Sequence, residues 1–286
     1  MSRGADNPRW FWPAGSLAHS GCDLVGDGDM DGWEHTGLVV VTLGAGESLA
    51  RELGEYEGIV VPLVGGVEVQ VDDEPYSLAG RESVFAGPTD VLYVPSGSTV
   101  TLAAGEGATC RVALCLARAA DPGAGEDDVT VAYLEAAEVP VELRGAGVAS
   151  RQVRNFGVPG VLAARRIIAC EVITPAGNWS SWPPHKHDTE RPGLETELEE
   201  IYYFEARATD ERGVDPVGFQ RVYGTPERPI DVLAEVRAGD VVLVPHGWHG
   251  PAIAAPDCDL CNPSVARNTP PFYGRTRSRA CLADLR

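Results

Sequence analysis

Short apolar runs separated by turn residues dominate the chain, and their spacing predicts strands. Residues 38–43 (Leu-Val-Val-Val-Thr-Leu) and 58–64 (Gly-Ile-Val-Val-Pro-Leu-Val) are near-continuous apolar runs of strand length. Val67-Glu68-Val69-Gln70-Val71 alternates apolar with polar, the period of a half-buried strand, and Asp72-Asp73-Glu74 supplies the turn after it. Residues 83–85, 91–95 and 110–115 continue the series. A polar, Gly- and Asp-rich segment follows at 119–128, and the pattern then resumes at 161–173, 200–204, 219–223 and 240–245. A helix is predicted only around 231–237, and it is short. Regular strand spacing with many turns predicts an all-β fold, a sandwich or barrel with little helix.

The two halves share a local signature. Gly80 opens a stretch that ends in Tyr93-Val94-Pro95-Ser96-Gly97, and Gly239 opens one that ends in Leu243-Val244-Pro245-His246-Gly247. Each is a β-run stopped by a tight Pro-x-Gly turn. The repetition points to a duplicated barrel, with one domain over residues 1–128 and a second over 129–286.

Composition changes this picture little. With Gly 33 and Pro 22, turns are abundant. The net charge of −19 argues against a nucleic-acid partner, since phosphate neutralisation needs an excess of Lys and Arg; a local basic pocket for a small acid remains compatible with it. No stretch reaches the roughly 18 apolar residues of a membrane span, and the first residues hold no apolar leader. A soluble, cytoplasmic protein without a membrane partner is therefore expected. Seven cysteines spread over the chain do not form a disulfide framework, and Cys258-x-x-Cys261 lacks the second pair of a zinc ribbon.

Histidine placement carries the chemistry. Of six histidines, four fall in two tight groups, His185/His187 and His246/His249. In an extended strand alternate residues share a face, so His185 and His187 can aim both imidazoles at one point while Lys186 points away. Two neutral nitrogens and a carboxylate, with a position left open, make a catalytic metal site. Glu200, at the head of Glu200-Ile201-Tyr202-Tyr203-Phe204, is the natural third ligand, and Glu199 would face the opposite side. His249 is the fourth, with His246 as its competitor just before it. The first half has no such set: Ser98, Thr99 and Val100 follow its Pro-x-Gly turn, and His19 and His35 stand alone, His35 reading as a solvated turn residue.

These residues carry a resemblance. The run Gly177-Asn178-Trp179-Ser180-Ser181-Trp182-Pro183-Pro184-His185-Lys186-His187-Asp188, followed by Leu198-Glu199-Glu200-Ile201-Tyr202-Tyr203-Phe204, resembles the core signature of 5-deoxy-glucuronate isomerases. Phe219-Gln220-Arg221-Val222-Tyr223 and the run from Gly239 to His249 extend it, and Gly80-Arg81-x-Ser83-Val84-Phe85 is its trace in the first half. The resemblance implies two cupin-type (jelly-roll) barrels in tandem, the first degenerate and serving structure or an interface in a homo-oligomer. It also implies one divalent metal per chain, zinc first, with manganese and iron(II) also compatible. The chain departs from the general cupin pattern in the acidic insertion between His187 and Glu200, and in a Pro-x-Gly-x-His turn one residue shorter than usual. His246 stands where a basic residue such as Arg is expected, and the tail from Asp259 to Arg286 fits the family poorly.

The implied reaction is the aldose–ketose isomerisation of 5-deoxy-D-glucuronate to 2-deoxy-5-keto-D-gluconate in inositol catabolism. It needs a general base beside the metal, because a ligated imidazole has its lone pair engaged. Tyr223, His246, Glu199 and Tyr202 are the candidates. Arg221, Arg154 and Lys186 are candidate partners for the uronate anion, and Arg221 shares a strand face with Tyr223. Two rival readings are an iron(II) cupin dioxygenase and a non-catalytic sugar-acid-binding cupin.

Overall fold

A computed structural model describes residues 3–26, 31–119, 129–191, 195–210, 213 and 215–267. The linking segment at 119–128 lies outside the described residues except for Ala119, and so does the tail from residue 268. Among the described residues, helix is limited to Asn7–Trp10 and two single 3-10 turns, and no helix is long and apolar enough to cross a membrane.

The strands form two curled antiparallel assemblies. The first runs in the order Ala132–Leu134, Val91–Val94, Tyr56–Val71, Cys110–Arg118, Thr36–Leu43, Leu24–Gly26. Residues 58–64 and 67–71 are one strand, Tyr56–Val71, bent at a bulge by Gly65. Its second half pairs with Glu74–Arg81 and Thr99–Ala104, which curl the sheet over its own core. There Gly80 and Gly65 cross, both at positive φ, and a Cβ on Gly80 would collide with the Gly65 carbonyl oxygen. Gly80→Ala is accordingly expected to destabilise the fold by about 1–3 kcal/mol, read as a lower midpoint in urea at unchanged slope.

The second assembly packs an eight-stranded sheet against a four-stranded one. The larger contains Val241–Val244, Glu200–Tyr203, Cys258–Arg267, Ile167–Thr174 and Arg151–Gly157; the smaller contains Trp179–Ser180, Trp248–Ala254, Gly218–Tyr223 and Asp231–Val236. Residues 231–236 therefore form a strand and not the short helix the sequence predicts. Val232, Ala234 and Val236 point inward while alternate residues face out, so burial at period two overrides the helix-forming Leu, Ala and Glu.

Strand pairing crosses residue 128 in both directions. Ala132–Leu134 adds to the first sheet, whereas Phe11–Trp12 pairs with Val241–Val244 of the second. Asp6 and Asn7 also exchange hydrogen bonds with Asp231 and Leu233.

The continuous apolar runs have a structural reason. In Thr36–Leu43, Val39 and Val41 fill the first barrel, while Leu38 and Val40 join a core shared with the second. A strand buried on both faces loses the alternation that a half-buried strand shows. Polar groups lock the same junction. Arg81 of the first barrel and Arg154 of the second both bind Glu171, which is 1% exposed. The buried Glu57 accepts the Tyr93 hydroxyl at 2.6 Å and the backbone N–H groups of Arg165, Arg166 and Ile167, where the strand Ile167–Thr174 begins.

Candidate metal centre

Three histidines meet in the lumen of the second barrel. The backbones of His185 and His249 pair reciprocally, N–H to O at 3.1 and 2.8 Å, which fastens the loop after Trp179–Ser180 to the start of Trp248–Ala254. Gly250 lets this happen, because at φ +89° a Cβ there would press on the Ser181 carbonyl oxygen. The rings of His185 and His249 lie 4.2 Å apart, those of His187 and His249 4.4 Å, and those of His185 and His187 5.6 Å, centroid to centroid.

Glu200 closes the set. Its Oε2 lies 3.0 Å from His187 Nε2 and 3.2 Å from His249 Nε2. The His249 contact is off the hydrogen-bonding direction, so Nε2 of this fully buried ring has no hydrogen-bond partner among the described residues. One nitrogen from each of His185, His187 and His249 lies within 4.8 Å of the others, and the three could hold a metal ion. Two of the three imidazoles are biased towards the neutral form that binds a metal. Burial, reinforced by the neighbouring rings, pushes His185 well below the ordinary imidazole value and lowers His249. Burial alone would favour the acid form of Glu200, yet the hydrogen bond with His187 and the nearness of both rings hold it well below the carboxylate range. Burial opposes a charge on His187 as well, but its hydrogen bond with Glu200 raises it, so a divalent cation would displace that proton to bind three imidazoles beside an ionised carboxylate. Their tight convergence and the orphaned Nε2 fit such an ion.

The acidic insertion that separates His187 from Glu200 acts as a clamp. Lys186 Nζ donates to Asp188 Oδ1 at 2.5 Å and to Glu195 Oε1 at 2.7 Å. Asp188 in turn accepts the Gly247 N–H at 2.8 Å, tying the insertion to the turn that carries His249. Lys186, a candidate for the uronate, is thus committed to two carboxylates and points away from the histidines.

The remaining candidates divide by strand parity. Val222 stands opposite His249 and is fully buried in the lumen, so Arg221 and Tyr223 face outward. Arg221 pairs there with Asp231 Oδ1 at 2.5 Å, its guanidinium 5.5 Å from the Tyr223 ring. This corrects the expectation that one would act on the sugar while the other bound its carboxylate. Arg154 is corrected likewise, because Glu171 and the Val84 carbonyl oxygen occupy it between the barrels. His246 Nε2 faces the Pro229 carbonyl oxygen at 3.4 Å, outside the cluster.

Glu199 lies on the far side of its strand, as alternation predicts, and its carboxylate accepts the backbone N–H groups of Glu34 and His35 at 3.0 and 2.7 Å. Burial pushes it up to about 7, but its cleft, shared with His35, Pro245 and Arg267, contains none of the clustered histidines. His35 is half-buried there, not a solvated turn residue. Among the four candidate bases, Tyr202 alone stands at the cluster. Its ring lies 6.0 Å from His249; burial, with the negative charge of Glu200 nearby, keeps it protonated far above the ordinary tyrosine value.

The sequence model of the KduI/IolB family matches residues 15–260, which spans both barrels and the whole cluster. The chain belongs to the KduI/IolB family. Relatives agree with that membership. The 5-deoxy-glucuronate isomerase of Geobacillus kaustophilus is 38% identical over 229 residues, 79% of this chain and 76% of its own. That of Shouchella clausii is 34% identical over 252 residues, 86% of either chain. The crystal structure of an IolB-like protein from Salmonella typhimurium LT2 superposes with a TM-score of 0.78 at 32% identity, covering 93% of this chain and 94% of that one. An oxalate decarboxylase of Lactobacillus farciminis, at 12% identity and a TM-score of 0.61 over 91% of this chain and 86% of its own, shares the bicupin fold alone.

Within this KduI/IolB chain, the lumen also holds polar residues that sequence patterns did not single out. Gln220, Thr174 and Asn262 are buried with amide or hydroxyl atoms that lack a partner among the described residues. Such groups call for water or a polyhydroxylated ligand. Only the cross-strand register reveals them. Gln220 sits between Arg221 and Phe219 in sequence, yet it shares its face with Val222 and hence with His249.

Proposed function

We infer that the protein is a metal-dependent 5-deoxy-glucuronate isomerase of inositol catabolism, converting 5-deoxy-D-glucuronate to 2-deoxy-5-keto-D-gluconate. The observation that carries this reading is a family match that includes every residue of a three-histidine, one-carboxylate cluster. His185, His187, Glu200 and His249 would hold one divalent ion, with zinc, manganese and iron(II) all compatible with the donors. When bound, the ion supplies Lewis-acid stabilisation of charge developing on the substrate's oxygens.

The reaction is an internal redox exchange. The C2 hydrogen leaves as a proton, C2 becomes a carbonyl, and C1 gains a hydrogen as its aldehyde becomes an alcohol. No outside oxidant takes part. Tyr202, kept protonated by burial, suits hydrogen-bond donation to a substrate oxygen better than proton abstraction.

The decisive experiment incubates the purified protein with 5-deoxy-D-glucuronate, with and without oxygen, in deuterated water. We expect equal turnover in both atmospheres, loss on chelation and recovery on adding zinc, manganese or iron(II), with solvent deuterium entering the product beside its new carbonyl. Oxygen consumption would favour a dioxygenase. Sugar-acid binding without turnover would favour a binding protein.

A further inference from the structure

The lumen of the second barrel contains a cation that has no counter-ion among the described residues. Arg151 begins the strand Arg151–Gly157 and is half-buried. Its direction follows from its neighbours. Arg154 Nε donates to Gln152 Oε1 at 3.0 Å, so residues 152 and 154 share the face that meets Glu171 and the first barrel. Residues 151 and 153 therefore face the lumen, where Val153 stands opposite Val172.

The guanidinium makes one hydrogen bond, Nη1 to the Ala149 carbonyl oxygen at 3.3 Å. By contrast Arg154, Arg221 and Lys186 each hold a carboxylate. Its strand parity turns it to the lumen side that holds the metal cluster, within electrostatic range of His185 and Tyr202. Burial and the like charge of Arg144 make this guanidinium less basic than usual, with Tyr202 opposing them. A cation partly removed from water without a counter-ion is unfavourable until an anion reaches it. Its Nε and Nη2 edge has the planar, two-donor geometry that matches a carboxylate.

We propose that Arg151 captures the carboxylate of the sugar-acid substrate and gives the site its preference for uronates over uncharged aldoses. This rests on the isomerase reading above. The reacting carbons of such a substrate are C1 and C2, and its carboxylate is C6. The three carbons between allow one end to sit at the histidines while the other reaches Arg151 on the same lumen face.

The test compares metal-loaded wild type, Arg151→Met and Arg151→Lys on 5-deoxy-D-glucuronate and on 5-deoxy-D-glucose, its uncharged counterpart. In Arg151→Met, KM for the uronate should rise about 10- to 100-fold, the loss expected for a charge-assisted pair, with kcat nearly unchanged. Arg151→Lys should recover part of that loss, and the kinetics of the uncharged aldose should not move. Equal losses on both aldoses, or an unchanged KM for the uronate, would overturn the proposal. Calorimetric titration with D-glucuronate and D-glucose decides the point without turnover. Selective loss of D-glucuronate affinity in Arg151→Met supports the anchor, whereas no carboxylate preference in the wild type, or none lost in the variant, removes it. If the wild type isomerised neither aldose, the isomerase reading would fall while the titration still decided Arg151.

Discussion

Replacing His187 by alanine is expected to reduce bound metal from one ion per chain to a small fraction and to lower kcat/KM by about a thousandfold or more, the several kcal/mol that Lewis-acid catalysis supplies. His187 is one of three clustered imidazoles, and its Nε2 lies 3.0 Å from Glu200. Removing it leaves Glu200 beside His249 alone and opens the cluster on one side. The local fold should survive, because His187 is anchored through its backbone carbonyl, which accepts the Leu198 N–H at 2.8 Å. His246→Ala is the control. That ring meets Pro229 outside the cluster, so metal content and turnover should stay near wild type. Metal analysis beside a turnover assay checks both, and wild-type activity in metal-free His187→Ala would remove the metal from the mechanism.

The cluster itself was legible because histidines are scarce and a metal needs several close together. Alternation told Glu200 from Glu199 and turned Lys186 aside, and these placements agree with the structure. The same rule could not choose a face for Arg221 and Tyr223. Nothing in a lone strand says which parity points inward, and that information lies in the pairing of Val222 with His249. Arg154 failed for a related reason. A cation in an acidic protein attracts functional readings, but Glu171 lies 17 residues further along the chain and its other partner, Arg81, 90 residues before it. Long-range ion pairs leave no local signature. Arg151 was invisible on both counts, since its interest lies in its parity and in its having no carboxylate partner among the described residues. The first-half trace Gly80-Arg81 proved structural: the glycine permits a strand crossing and the arginine locks the barrels together.

That lock supports a second large effect, on stability. Glu171→Ala is expected to destabilise the fold by about 3–5 kcal/mol, because it strands two buried guanidinium groups without their shared carboxylate. Arg81 and Arg154 side chains are each only 4% exposed, so water offers them little relief. For a chain of this size the loss should lower the melting temperature by about 10 °C. Replacing Arg81, Glu171 and Arg154 together by methionines should cost much less, since no charge then remains buried. Equal losses in the single and triple variants would show that packing, not charge, holds the junction. Metal content at permissive temperature should be unchanged in both. Glu171 and Arg154 face the first barrel, whereas Val172 and Arg151 face the lumen, so the two faces of one strand pair keep stability and chemistry apart. A Glu171 variant that lost its metal while still folded would show that the two faces are coupled.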